Sequence, residues 1–169
     1  RNDAIMEVVG AEETERASAH AEHLLPAVHG LHPRILRGGA LPPNVHRGLH
    51  AEDYMADATG PYTFRHDPAG GGALADLGSH VLATAEFLLG PIAKVMGDCV
   101  TSISERTDGS GKRRTIKVDD VGRAFLRFEN GASGSIEGNW IATGRKMQHT
   151  FEVYGSKGAL CFNQERFNE

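Results

Sequence analysis

Asp76 and His80 are the residues of this sequence whose types and spacing best suit chemistry. Residues four apart on a helix lie on one face, one turn apart. A carboxylate beside an imidazole fixes the ring and stabilises the imidazolium that forms during proton transfer, so this pair could act as a general acid and base. The same spacing is also typical of a solvated Asp–His pair on a helix surface, and spacing alone leaves both interpretations open.

The residues just before this pair are rich in glycine. The triplet at residues 70–72 lets the backbone approach a ligand closely and leaves N–H groups at the start of a helix, although a flexible turn is the alternative. The triplet and Ala75 formally match G-x-G-x-x-A. A dinucleotide fingerprint must follow a buried strand, whereas residues 64–69 are a polar turn, so we reject that match. Groups from residues 52–68 are expected to share a pocket with Asp76 and His80.

Other residues could bind a metal or a sugar. A second cluster of possible metal ligands comprises His50, Glu52, Asp53 and Asp57, but neither H-E-x-x-H nor C-x-x-C spacing is present, so no metal site is predicted. The single tryptophan, Trp140, is expected to pack in the core, and a contact with a sugar is the alternative.

The helix that carries Asp76 and His80 is the clearest element of the sequence. Apolar residues recur at helical spacing, Gly90 suits the residue after a helix, and Pro91 cannot continue one. We therefore predict a helix over residues 72–89. Its apolar stripe is expected to pack against a sheet and consists of Leu74, Leu77, Val81, Ala85 and Leu88.

Strand patterns follow Pro91, and one more precedes the helix. Asn130-Gly131 predicts a type I′ hairpin. The result is an α+β fold with a predominantly antiparallel open sheet and helices on one face. The candidate strands cover residues 45–52, 93–105, 115–129, 132–142, 148–154 and 159–162.

One face of this sheet is expected to carry an exposed aromatic residue. Strand alternation places Phe125 on the same face as Arg123 and Arg127, away from the helix. Aromatic residues and arginine are enriched at protein interfaces, so the face could support self-association. A solvated sheet face with one stray aromatic residue is the alternative.

The composition excludes several classes of protein. The 169 residues are 40% apolar and 24% charged, and no apolar run is long enough to span a membrane. A net charge of −4 is unlike that of a general nucleic-acid binder. Two cysteines cannot form a disulfide framework, so we expect reduced thiols and a cytoplasmic location.

The sequence resembles the Gfo/Idh/MocA oxidoreductases, the family of glucose–fructose oxidoreductase and inositol dehydrogenase. The resemblance runs from about His50 to the C-terminus and is carried by Ala-Gly-Gly-Gly-Ala-Leu-Ala-Asp-Leu-Gly-Ser-His at residues 69–80. Further matches are Val-Asp-Asp-Val-Gly at 118–122, Phe-Glu-Asn-Gly-Ala at 128–132 and Phe-Glu-Val-Tyr-Gly-Ser-Lys-Gly-Ala at 151–159.

The resemblance implies an activity and a site. Family members bind NAD or NADP in an N-terminal Rossmann domain and oxidise a secondary alcohol of a sugar, inositol or related polyol. By resemblance, His80 would take the hydroxyl proton, and Asp76 would orient and polarise that pair. The expected substrate contacts are Tyr54, Arg65, Gly71 and Trp140. The resemblance also implies a homo-oligomer that assembles through the open face of the sheet.

The N-terminal part departs from the family pattern, because neither G-x-G-x-x-G nor Glu-Lys-Pro is present. Residues 1–47 are predicted to be a partial Rossmann-like remnant with a Pro/Gly-rich linker, and residues 48–169 a substrate and oligomerisation domain. No cofactor-binding residue is assigned. We expect no NAD(P)-dependent turnover by the chain alone, and a non-catalytic module that acts through self-association is the rival hypothesis.

Overall fold

A computed structural model describes residues 45–155 and 158–166 of the protein. Within this part, one sheet has six strands and a separate hairpin has two. The large sheet contains β1 (Val45–Ala51), β2 (Ile92–Val100), β5 (Val121–Phe128), β6 (Ser133–Asn139), β7 (Gln148–Gly155) and β8 (Gly158–Asn163). The hairpin consists of β3 (Glu105–Thr107) and β4 (Arg113–Thr115). The predicted Rossmann-like remnant and most of the predicted linker lie outside the described residues.

The strand order of the large sheet is β2-β5-β6-β1-β7-β8. Strand β1 pairs in parallel with β6 and antiparallel with β7, and every other pair is antiparallel. The predicted α+β fold with a predominantly antiparallel sheet is therefore confirmed. The strands do not form a simple meander, because β1 lies between β6 and β7.

The predicted helix is confirmed over residues 72–89. A π-helical turn, Leu74–Gly78, leads into α1 (Ser79–Leu89), and Gly90 ends the helix with a φ of 85°. The predicted stripe faces the sheet: Leu77, Val81, Ala85 and Leu88 are buried, while Leu74 is half-buried. Short 3-10 turns occur at Phe64–His66, Pro68–Gly70 and Gln164–Arg166.

Two paired glycines let the start of the helix lie close to the sheet. Gly122 of β5 is paired with Gly138 of β6, directly under the π-helical turn. A Cβ at Gly138 would lie 2.8 Å from the Gly78 nitrogen and 3.0 Å from the Ala73 oxygen, and one at Gly122 would meet the Leu74 side chain at 2.7 Å. The glycines therefore allow the turn that carries Asp76 to approach the strands.

The hairpin at Asn130-Gly131 is present, but the predicted turn type is wrong. A type I′ turn needs a positive φ at both central residues, and Gly131 has a φ of 87°, whereas no described residue other than glycine has a positive φ. The loop instead has three residues: Phe128 N–H donates to the Ala132 carbonyl, and Gly131 N–H donates to the Phe128 carbonyl, both at 3.0 Å. The Asn130 amide donates to the Leu89 carbonyl at 2.7 Å, which ties this loop to the end of α1.

Some predicted strands were too long, because an irregular segment separates the sheet from the small hairpin. Residues 101–104 and 116–120 are not strands. Asp120 holds this region together: its carboxylate is fully buried and accepts hydrogen bonds from the backbone N–H groups of Ser102 and Ile103 and from the Trp140 indole at 2.6, 2.8 and 2.9 Å. A buried carboxylate with three donors is well satisfied.

Two expectations from composition can be compared with the described residues. Cys99 and Cys161, expected to be reduced, are free thiols that lie on the surface. Among the helices that the structure describes, none is long and apolar enough to cross a membrane.

Candidate active site

Asp76 lies at the centre of a small hydrogen-bonded group at the start of the helix. The Tyr54 hydroxyl donates to Asp76 Oδ2 at 2.7 Å, and Arg65 Nε donates to the same oxygen at 3.0 Å. The Arg65 guanidinium also lies 5.4 Å from the centre of the Tyr54 ring. The structure therefore brings three of the predicted site residues together, from the loop after β1, a 3-10 turn and the π-helical turn.

His80 lies one turn further along, beside other histidines. The centre of the half-buried His80 ring is 5.4 Å from that of His50 on β1, and His50 stacks on His149 of β7 at 5.0 Å with an interplanar angle of 9°. His50 and His149 are direct partners in the β1–β7 register. Sequence reasoning missed His149, although the alternation in β7 was a signal that its side chain points inward.

The second cluster considered from sequence does not converge. His50 Nε2 lies 3.1 Å from Glu52 Oε1, but Asp53 pairs with Lys146 at 2.7 Å and Asp57 accepts hydrogen bonds from its own loop. Within residues 45–155 and 158–166, no group of three or more His, Cys, Asp or Glu residues is arranged to hold a metal ion. His50 and Glu52 therefore contact each other, whereas Asp53 and Asp57 make separate contacts.

The surroundings of the site shift the pKa values of its titratable groups for different reasons. Burial and the hydrogen bond to Asp76 raise the pKa of the Tyr54 phenol, so Tyr54 remains a donor. The Asp76 carboxylate raises the pKa of Arg65. Burial raises the pKa of Glu52 and the charge of Asp76 adds to that rise, whereas Arg65 and His80 lower it. The site thus combines a fixed cation, Arg65, and a fixed hydrogen-bond donor, Tyr54, with the carboxyl group of Glu52.

Trp140 and Gly71 are the other two expected substrate contacts. The Trp140 indole is fully buried and contacts Tyr54 edge-on at 6.3 Å, the placement that the core interpretation predicts. Gly71 has a φ of 80°, and a Cβ there would lie 2.5 Å from that of Ala75, so backbone geometry and packing both favour glycine. Both residues are placed to support the Asp76 group.

Comparison with known proteins identifies the relatives of the chain. Residues 42–161 match the protein family described as the GFO/IDH/MocA C-terminal domain. The chain belongs to the Gfo/Idh/MocA oxidoreductase family. It is 36% identical over 138 residues to levoglucosan dehydrogenase of Pseudarthrobacter phenanthrenivorans, which covers 73% of this chain and 35% of that protein. A putative UDP-kanosamine synthase oxidoreductase subunit of Amycolatopsis mediterranei is 33% identical and covers 59% of this chain and 30% of its own length.

Solved structures agree with this family assignment. An NAD binding oxidoreductase from Klebsiella pneumoniae has a TM-score of 0.74 and 31% identity, covering 92% of this chain and 40% of that one. Levoglucosan dehydrogenase in complex with NADH and levoglucosan has a TM-score of 0.70 and 33% identity, again covering 92% and 40%. The chain therefore spans well under half the length of these Gfo/Idh/MocA relatives.

The described residues do not fit the pyrophosphate of the family's cofactor. N–H groups at the start of a helix can bind phosphate, and sequence placed such groups after Gly70–Gly72. In the structure, Leu74 N–H donates to Asp119 Oδ2 at 2.7 Å and Ala73 N–H donates to the Asp119 carbonyl at 2.9 Å. An acidic side chain thus occupies this position, and its charge would repel a phosphate.

A groove of about 580 Å³ lies on the opposite face of the sheet from the helix. Its lining includes Arg47, Met96, Arg123, Phe125 and Glu137. The groove does not include Asp76 or His80, so the predicted acid–base pair and this depression belong to different surfaces of the family domain.

Proposed function

We propose that this chain supplies the substrate side of an NAD(P)-dependent sugar or polyol dehydrogenase, with His80 and Asp76 as its acid–base pair. The observation that carries the proposal is the convergence of Tyr54 and Arg65 on Asp76, beside His80. Support comes from levoglucosan dehydrogenase, a relative solved with NADH and levoglucosan. Inositol and other small polyols belong to the same chemical class of substrate.

The residues of this chain would perform the proton half of the reaction. Oxidation of a secondary alcohol removes a hydride from carbon and a proton from oxygen. In our proposal His80 accepts that proton, and Asp76, one helical turn away, stabilises the resulting imidazolium. Arg65 and Tyr54 hold the Asp76 carboxylate, while the buried Trp140 keeps the Tyr54 ring in place. The described residues take no part in the hydride half, because they do not fit the pyrophosphate of the dinucleotide.

The purified 169-residue chain should form no NADH from NAD and levoglucosan, inositol or common sugars. A pyrophosphate needs free N–H groups at a Gly-rich turn between a strand and a helix, and the sequence has no G-x-G-x-x-G. At the start of the described helix, the N–H groups are already bonded to Asp119. Absorbance at the reduced-nicotinamide band measures the product. The positive control is a hybrid enzyme in which residues 45–166 follow the nucleotide-binding half of levoglucosan dehydrogenase. NADH formation by the unfused chain would contradict the expectation.

A second function, self-association, is favoured by the open face of the sheet. Met96 and Phe125 are direct neighbours in the β2–β5 register and are 64% and 65% exposed. Arg123 pairs with Glu137 at 2.9 Å on the same face. Apolar residues bordered by both signs of charge suit a contact between two identical surfaces. We propose that this face joins copies of the chain, in an enzyme or in a non-catalytic module.

Phe125→Asp should convert the proposed oligomer into monomers, because a carboxylate would be buried opposite the same residue or its neighbours in the other copy. Light scattering at micromolar concentration measures the mass. Phe64→Asp is the matched control, since Phe64 is 71% exposed but lies in the 3-10 turn near Arg65 rather than on the open face. A monomeric starting protein, or an oligomer that persists in Phe125→Asp, would count against this interface.

A further inference from the structure

A second carboxylate, which the proposed proton transfer does not use, lies at the same site. Glu52 follows β1 directly, and its Oε1 is 3.1 Å from Nε2 of His50. The side chains of Glu52 and His50 are only 16% and 8% exposed. This pair is therefore largely withdrawn from water. A charge in such a place acts more strongly on its neighbours than a charge at the surface does.

His80 lies on α1, with the centre of its ring 5.4 Å from that of His50. Asp76 precedes His80 by one helical turn, His50 and Glu52 belong to β1 and the residue after it, and His149 belongs to β7. Arg65 is bonded to Asp76. His50 is therefore adjacent to both Glu52 and His80, and the charges of Glu52 and His80 interact.

The two carboxylates are not equivalent. Asp76 has a guanidinium bonded directly to it, because Arg65 Nε lies 3.0 Å from Oδ2. Among the described contacts, Glu52 has an imidazole as its partner and no bonded arginine or lysine. The buried His149 stacks behind His50 with its pKa lowered to about 4, so His149 is neutral near pH 7. The charge of Glu52 is consequently less offset than that of Asp76.

We infer that Glu52, held in place by His50, is a positioning residue that orients His80 and stabilises its protonated form. The inference deepens the proposed dehydrogenase function, because the imidazolium of His80 is the species which that function generates. The positioning itself does not depend on turnover and can be measured on the chain alone.

The test is a proton titration of His80 in the full 169-residue chain. Histidine-selective isotope labelling gives one NMR titration curve for each histidine, and His80→Gln assigns the signal of His80. In Glu52→Gln we expect the pKa of His80 to fall by about one unit, a tenfold loss of proton affinity, because a nearby opposite charge favours the charged imidazole. Asp53→Asn is the matched control, since Asp53 is the next residue but pairs with Lys146; it should leave the titration of His80 unchanged.

A conservative variant separates charge from loss of structure. Glu52→Asp keeps the carboxylate and should retain most of the proton affinity of His80, whereas a purely structural role for Glu52 predicts equal effects of Asp and Gln. An unchanged pKa of His80 in a folded Glu52→Gln chain, or an equal fall in Asp53→Asn, overturns the inference. If the titration shifts as expected but the hybrid enzyme has no activity, the dehydrogenase proposal fails while the role of Glu52 in positioning His80 stands.

Discussion

His80→Gln should reduce NADH formation by the hybrid enzyme by about 10²- to 10⁴-fold, the usual contribution of a positioned general base. Glutamine keeps a polar side chain of comparable reach but does not accept a proton near neutral pH. The loss should fall on kcat rather than on KM, because the proton moves only in the transition state. Initial rates with levoglucosan and NAD measure both constants.

The control for this experiment is Asp53→Asn in the same hybrid. Asp53 lies near the site in sequence but is paired with Lys146, so its neutralisation should leave kcat within about threefold, as is usual for surface substitutions that touch no reacting group. If His80→Gln has no larger effect than Asp53→Asn, His80 is not the base, and the Asp76–His80 pair returns to the surface interpretation that its spacing also allows.

Acid should destabilise the folded chain strongly between pH 6.5 and pH 4. Burial lowers the pKa of His46 from 6.5 to about 4, and burial together with the neighbouring histidines lowers the pKa of His149 to about 4. Both rings are neutral in the folded chain, whereas the unfolded chain takes up protons as the pH falls below 6.5. Stability is therefore fully present above pH 6.5 and falls as pH decreases, by about 3 kcal/mol per histidine at pH 4. Urea unfolding, followed by circular dichroism across this range, measures the slope.

His46 provides the variant that isolates the cause. Its ring is fully buried on β1, next to Val81 of α1, and neither ring nitrogen has a hydrogen-bond partner among the described residues. His46→Leu fills a similar volume with no group to protonate, so the acid-dependent loss should shrink by about half. A slope that is the same in His46→Leu and in the wild-type chain would show that other groups cause the acid sensitivity.

The helix and the outline of the sheet could be predicted because their signals are local. The stripe from Leu74 to Leu88 and the Gly90-Pro91 stop lie within one stretch of sequence, and the alternation around Phe125 fixes which side chains of β5 point outward. The π-helical geometry at Leu74–Gly78 was not predictable in this way. It depends on Gly122 and Gly138, which come from two later strands.

The remaining part of the site depends on contacts that are distant in sequence. His50 meets His149 only because β1 is inserted between β6 and β7, and nothing in the pattern of either strand specifies that neighbour. Asp119 and Asp120 belong to the family motif at residues 118–122, but the sequence does not indicate what they do. Their contacts with Leu74 and Trp140 appear only when the irregular segment before β5 is folded against the helix and the sheet.

The most direct test of the central claim is to map where a sugar binds on the full chain. Amide NMR spectra recorded with millimolar levoglucosan should show shifts at Tyr54, Arg65 and Asp76 and around His80, and none around Phe125 on the open face. NADH added alone should shift none of the described residues. Shifts confined to the groove around Phe125, or produced by NADH at the glycine triplet of residues 70–72, would contradict our account of this site.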